Sequence, residues 1–226
     1  MAKKCGLDGI EWGGDVHAPP GDTARAEEIR TATAAAGLQV LSYGSYYRIG
    51  EGHDFPPVLA TARALGADTI RVWAGAKGSA KYTPEERAAA VADAVAIADG
   101  AAEYGITVAT EYHRNTLTDT SGSAVALLRE VGRANFKTYW QPNLQLSHEA
   151  NLGELTEVLP YLVKLHVFHW NPDSSRLPLS EGVGVWGEYF AKATGQADAA
   201  ILEFVLGDKT EQCEMDAGVL VGLVNP

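Results

Sequence analysis

Cysteine is scarce in this 226-residue chain: Cys5 and Cys213 are the only two, in unrelated contexts. That excludes a disulfide framework and a thiolate metal site. Long apolar runs are also missing. Nothing approaches the roughly eighteen residues that cross a bilayer, and Met1–Cys5 carries two lysines where a signal peptide has an apolar core. The expectation is a cytoplasmic protein with no membrane partner. Basic residues are outnumbered, 18 Lys and Arg against 29 Asp and Glu for a net charge of −11, which opposes a nucleic-acid partner. Neither a Gly-x-Gly-x-x-Gly nor a Gly-Lys-Ser/Thr loop occurs, so no nicotinamide or nucleotide cofactor is indicated. With no Pro/Gly/Ser-rich linker to divide it, 1–226 reads as one domain large enough to bury a full core.

The chain is built instead on a repeated phrase: an Ala-rich helical segment, a Gly, then a short run rich in β-branched residues. Gly6, Gly37, Gly66 and Gly105 close the helical parts, each at a helix C-terminus where positive φ is expected. The strands that follow are Leu7–Trp12, Leu38–Ser42, Thr69–Trp73 and Ile106–His113, with three more at Phe136–Trp140, Val163–Phe168 and Ala200–Val205. Helices are expected at Glu85–Tyr104, opened by Thr83-Pro84, and at Ser123–Val131, Leu152–Leu162 and Trp186–Thr194. Strands alternating with helices predict a parallel sheet, and strands recurring roughly every thirty residues predict an α/β barrel of the TIM type. Seven strands are visible where such a barrel has eight. Ala2–Gly6 reads as the tail of a helix, so the expectation is a barrel lacking its first βα unit, with open edges that leave a homo-oligomer open.

Four successive strands end in residues able to ligate a cation: Glu111, Gln141, His166 and Glu203. Adjacent parallel strands lie about 4.8 Å apart, so one residue from each can converge on a single ion. Oxygen and imidazole donors without thiolates suit Mn²⁺, ranked first, or Mg²⁺, Co²⁺ or Zn²⁺.

From Leu7-Asp-Gly-Ile-Glu-Trp12 to Ile201-Leu-Glu203 the chain resembles the xylose-isomerase-like TIM barrels, the sugar phosphate isomerase/epimerase group that includes ketose 3-epimerases and an apurinic endonuclease branch. The resemblance implies a metal held by Glu, Asp, His and Glu from consecutive late strands, at Glu111, Gln141, His166 and Glu203. Gln141 departs from the pattern by replacing an anionic ligand with a neutral carbonyl. The resemblance further implies that Glu111 and Glu203 exchange a proton α to a carbonyl that the metal polarises. The expected function is a metal-dependent isomerase or epimerase acting on a small sugar or sugar phosphate. The rival readings are a non-catalytic carbohydrate-binding or regulatory barrel, and a lyase or dehydratase acting on a polyol or inosose. The endonuclease branch is disfavoured by Leu144, which stands where a histidine would be expected.

Around these ligands the expected substrate contacts are Trp12, His17, Arg71, Trp73, His113 and Trp170. Trp12, Trp73, Trp140 and Trp170 fall at or just beyond strand ends, where an aromatic face can stack on a sugar and the indole N–H seeks a polar partner. His113 shares strand parity with Glu111, and Arg71 shares it with Trp73. Arg71 either meets an anionic substrate group or neutralises the inward carboxylates. His17 resembles a family substrate-site histidine in the turn after the first strand, with a surface-turn reading as its rival. His169 has the opposite parity to His166, which suits a helix-packed or loop residue as well as a functional one, while His53 and His148 read as surface-turn residues. Tyr43, Tyr46, Tyr47 and Arg48 are expected as a polar aromatic loop over the site.

Overall fold

The computed structural model describes residues 1–225. Seven parallel strands form one sheet in chain order: β1 (Gly9–Gly13), β2 (Gln39–Arg48), β3 (Thr69–Trp73), β4 (Thr107–Thr110), β5 (Phe136–Trp140), β6 (Leu162–Val167) and β7 (Ala199–Leu202). Each strand hydrogen-bonds only to its sequence neighbours, so β1 and β7 are the two ends of a nearly closed TIM barrel. Between those ends lies a slot lined by Leu7, Gly9, Ile10, Glu11 and Ala200–Leu202. The helices are α1 (Thr23–Ala35), α2 (Pro56–Leu65), α3 (Pro84–Ala102), α4 (Ser121–Val131), α5 (His148–Val158), α6 (Val183–Ala193) and α7 (Thr210–Val224).

Local chemistry sets these boundaries. Thr83 and Glu86 form a reciprocal capping box ahead of α3, and Pro84 occupies the first turn where its missing N–H costs nothing. Gly6, Gly37, Gly66 and Gly105 all take positive φ, as the repeated phrase predicts. The helix expected to run to Leu162 ends earlier, at Val158. Pro160 has no N–H to continue the α-helical ladder, the chain makes a single tighter turn at Leu159–Tyr161, and Leu162 already opens β6.

Tyr43–Arg48 is not a loop. It is the second half of β2, and Tyr43 is wholly buried with its hydroxyl donating to the Ala18 carbonyl at 2.8 Å. The Ser45 hydroxyl likewise donates to the Arg71 carbonyl at 2.6 Å. Polar groups that look solvated in sequence are thus satisfied by the tertiary structure, which makes their burial tolerable.

Apolar packing lies mainly between sheet and helices. Val108, Ile70 and Val72 pack outward with Ala94, Ile97 and Ala98 of α3 in one cluster, while Trp140, Leu165 and Val167 pack with Leu155, Trp186 and Tyr189 in another. Trp140, expected at the mouth, belongs to this outer layer: it is fully buried and meets Tyr189 edge-on at 4.9 Å. The inward face of the strands is therefore left to a different set of residues, most of them polar.

Candidate active site

The two-residue period of β1 turns Glu11 into the barrel and Trp12 outward. Glu11 Oε2 accepts from the Ser42 hydroxyl at 2.7 Å and from the Tyr139 hydroxyl at 2.9 Å, while Oε1 accepts from Arg71 Nε at 3.0 Å. Arg71 Nη1 also donates to Glu111 Oε2, so one guanidinium joins two carboxylates from opposite sides. Arg71 has room there because Gly44 stands beside it on β2: a Cβ at that position would lie 2.8 Å from Arg71 Nη2 and 2.9 Å from Glu11 Oε1.

Glu111 and Glu203 each sit one residue beyond their strand, and one backbone bond holds each in the ladder. Glu111 N donates to the Val72 carbonyl and Glu203 N to the Val167 carbonyl, both at 2.9 Å. Their side chains meet His166 of β6, and donor atoms of Glu111, His166 and Glu203 all lie within 4.8 Å of one another. His166 Nδ1 is 3.3 Å from Glu203 Oε2 and 3.0 Å from Gln141 Oε1. The structure thus brings together the four residues expected as ligands.

The electrostatics follow from crowding charges in a dry space. Burial pushes the Glu11 carboxyl up, but Arg71, His166 and the two hydroxyl donors together hold it below the usual carboxylate range. Glu203 is also held low: burial opposes ionisation, and His166 and Arg71 outweigh it. For His166 burial works against the charged form, yet Glu203, Glu111 and Glu11 raise its pKa above the ordinary imidazole value. Three carboxyl groups, those of Glu11, Glu111 and Glu203, gather around one guanidinium, that of Arg71, so the set is short of positive charge whenever His166 is neutral. A divalent cation fits that deficit. It also fits the spacing, since ligand distances of about 2.0–2.6 Å let one ion span donor pairs about 4–5 Å apart.

The remaining candidates take separate places. Arg71 sits inside the cluster, paired with both carboxylates. Trp73 and His113 form a tilted pair at 4.7 Å on the rim, with the Arg48 guanidinium 4.4 Å above the indole. Trp170 lines a cleft beside them with His113, Gln141, Asn143 and Phe168, and its buried Nε1 has no partner among the described residues. Trp12 instead donates its indole N–H to the Thr33 hydroxyl of α1 at 3.1 Å, and exposed His17 packs edge-on against it at 5.4 Å. Neither joins the cluster. His169 presses on Gly182, where a Cβ would lie 2.7 Å from its Nδ1. His148 opens α5 and contacts the Tyr189 hydroxyl and Glu188 at 3.1 and 3.0 Å. Sequence reasoning missed Glu11, although its parity with Gly9 and Gly13, opposite to Trp12, is the same signal that selected Glu111.

The chain belongs to the xylose isomerase-like TIM barrel family, whose sequence profile matches residues 1–205. It is similar to a 3-dehydroshikimate dehydratase of Bacillus anthracis, 33% identical over 107 residues, which is 44% of this chain and only 38% of that relative's length. Among solved structures, a probable 3-DHS dehydratase from Bacillus anthracis superposes with a TM-score of 0.78 at 23% identity, covering 97% of this chain and 90% of that one. A D-psicose 3-epimerase from Clostridium cellulolyticum H10, solved with D-tagatose, gives 0.72 at 15% identity over 98% and 89% of the two chains. These likenesses establish the shared fold. No helix among the described residues is long and apolar enough to cross a membrane.

Proposed function

We propose that this protein is a metal-dependent enzyme that moves a proton next to the carbonyl of a small hydroxylated substrate, as a sugar isomerase or epimerase does. The observation that carries this reading is the convergence of Glu111, His166 and Glu203, with Gln141 beside them, in a pocket short of positive charge. Glu111, Gln141, His166 and Glu203 would hold a divalent ion, which when bound polarises the substrate carbonyl and stabilises the enediolate. Gln141 supplies a carbonyl oxygen rather than a carboxylate, which lowers the affinity of the set relative to an all-anionic one.

Glu203, held ionised by His166 and Arg71, would take a proton, and Glu111 would deliver or receive one at the other side of the carbon. Arg71 fixes the Glu111 carboxylate and keeps Glu11 charged, so the pocket retains its acceptors in a largely dry environment. His113, Trp73 and Trp170 on the rim supply aromatic faces, and the free indole N–H of Trp170 suits a substrate hydroxyl. The test is deuterium wash-in from D₂O into a panel of ketoses with Mn²⁺ added, comparing the protein with Glu111→Gln and Glu203→Gln. Exchange in the parent that disappears in both variants supports the pair. Undiminished exchange in either variant refutes it.

A second reading is dehydration, favoured by the likeness to a 3-dehydroshikimate dehydratase. The first step is shared, since the same enediolate expels a β-hydroxyl instead of recapturing the proton. Ultraviolet monitoring with 3-dehydroshikimate separates the two, because loss of water from that ring leads to an aromatic product.

A further inference from the structure

The turn that follows Glu203 is strained in a way the ligand set alone does not explain. Phe204 takes φ of 57°, Gly207 69° and Asp208 52°, so two non-glycine residues adopt left-handed backbone within five positions of Glu203. Such conformations are sparsely populated and persist only where the surroundings impose them. The Phe204 ring is half-exposed, so burial of that side chain does not impose it.

What surrounds the turn is Arg176. This residue closes a small hairpin that leaves β6: Trp170 and Arg176 form an antiparallel bridge, Asn171 N donates to the Ser175 carbonyl at 2.9 Å, and Leu177 N returns to the His169 carbonyl at 2.8 Å. From there Arg176 reaches across to the loop after β7. Its Nη1 donates to the Val205 carbonyl at 3.2 Å and pairs with Asp208 Oδ1 at 2.5 Å, while its guanidinium lies 4.8 Å above the Phe204 ring. Trp170 covers the same ring at 5.5 Å. The far side of the hairpin is tied down where Gln145 Nε2 donates to the Pro172 carbonyl at 2.9 Å. One side chain therefore links the loop beyond His166 to the turn beyond Glu203.

We propose that Arg176 is a positioning residue for Glu203: by bonding Val205 and lying over the Phe204 ring it holds the left-handed turn that aims the Glu203 carboxylate at His166. The proposal rests on the metal-site reading above. The ion pair with Asp208 adds little, because the Asp208 side chain is 74% exposed; the carbonyl bond and the guanidinium over the Phe204 ring carry the effect.

Mn²⁺ titration calorimetry and amide hydrogen exchange over Phe204–Asp208, on the whole chain, test it. Arg176→Ala should weaken Mn²⁺ binding by about 10- to 100-fold, the range seen when a group supporting a metal ligand is lost, and should speed exchange in the turn of the metal-free protein. Arg176→Lys, which keeps the charge but loses the rigid guanidinium fork, should behave similarly, and it stands in if the alanine variant does not fold. Asp208→Asn should stay within about twofold of the parent. Mn²⁺ affinity in Arg176→Ala within twofold of the parent overturns the proposal, whether or not exchange changes, because the turn then moves without Glu203. If the parent binds no Mn²⁺, the metal-site reading fails on its own. Exchange in the metal-free variants then decides whether Arg176 holds the turn: unchanged exchange refutes the clamp, faster exchange supports it.

Discussion

Arg71 and Glu11, sixty positions apart in sequence, are joined by a 3.0 Å bond from Nε to Oε1 inside the barrel, and every other polar contact of Glu11 is arranged around that pair. A buried pair of this kind is weak evidence of net stabilisation, yet removing Glu11 is costly because buried donors are left without an acceptor, even though Arg71 keeps Glu111.

Glu11→Ala should therefore lower stability by about 1–3 kcal/mol, which for a domain of this size is a fall in thermal midpoint of roughly 2–12 °C. The variant strands Arg71 Nε together with the hydroxyls of Ser42 and Tyr139. Calorimetry of the metal-free protein measures it, and a loss under about 1 kcal/mol would mean that the pair behaves like a surface ion pair.

Gly44→Ala should damage the same pair from the opposite side. The added methyl meets Arg71 Nη2 and Glu11 Oε1 at under 3 Å, and no flexible neighbour can yield without displacing a charge. A destabilisation of about 1–3 kcal/mol is expected, together with weaker Mn²⁺ binding because Glu111 shares the displaced guanidinium. Calorimetric titration and thermal melting read the two effects separately.

Gln141→Glu replaces a neutral oxygen donor with a carboxylate of the same shape, beside His166 Nδ1 at 3.0 Å. Mn²⁺ affinity should rise by about tenfold or more, the effect of roughly 1.4 kcal/mol of added attraction. The metal-free variant should melt lower than the parent, since it adds a fourth carboxylate around the imidazole. An unchanged affinity would place Gln141 outside the coordination sphere.

Metal binding should also depend on pH through His166. Its folded pKa is raised, so in the metal-free protein the imidazolium contributes stability that is fully present below the ordinary value of about 6.5 and is lost as pH rises through the raised one. A metal ion requires the neutral imidazole and competes with that proton. The increase in melting temperature on adding Mn²⁺ should accordingly be larger at pH 8 than at pH 6, about the ordinary imidazole range. A shift independent of pH would remove His166 from the ligand set.

Much of this was legible in the sequence where local chemistry decides the outcome. The strands Thr69–Trp73 and Phe136–Trp140 have the expected bounds, and the repeated glycines close their helices. Glu111, Gln141, His166 and Glu203 converge because strand period and chain order dictate it. Illegible parts depend on partners distant in sequence. The segment Tyr43–Arg48 looked like a polar loop because nothing local reveals that Ala18 and Arg71 carbonyls accept its hydroxyls. Trp140 at a strand end is compatible with either face until Tyr189 is seen against it. Glu11 is marked by parity alone, since its partners, Arg71 and Tyr139, lie far along the chain.

The unpaired ends of the sheet give the polar cluster a mechanical meaning. Each strand hydrogen-bonds only to its sequence neighbours, so the sheet alone is a bent row rather than a hoop, its two ends joined on the outside where Leu7 packs in the cluster that holds Leu220 of α7. Across the gap between β1 and the late strands the contact is made by side chains: Tyr139 on β5 donates to Glu11 on β1 over 128 residues, and His166 Nε2 stands 3.9 Å from the same carboxylate. The residues proposed to hold a metal are thus also the clasp of the bracelet, and a cation bound among them would tighten the ring.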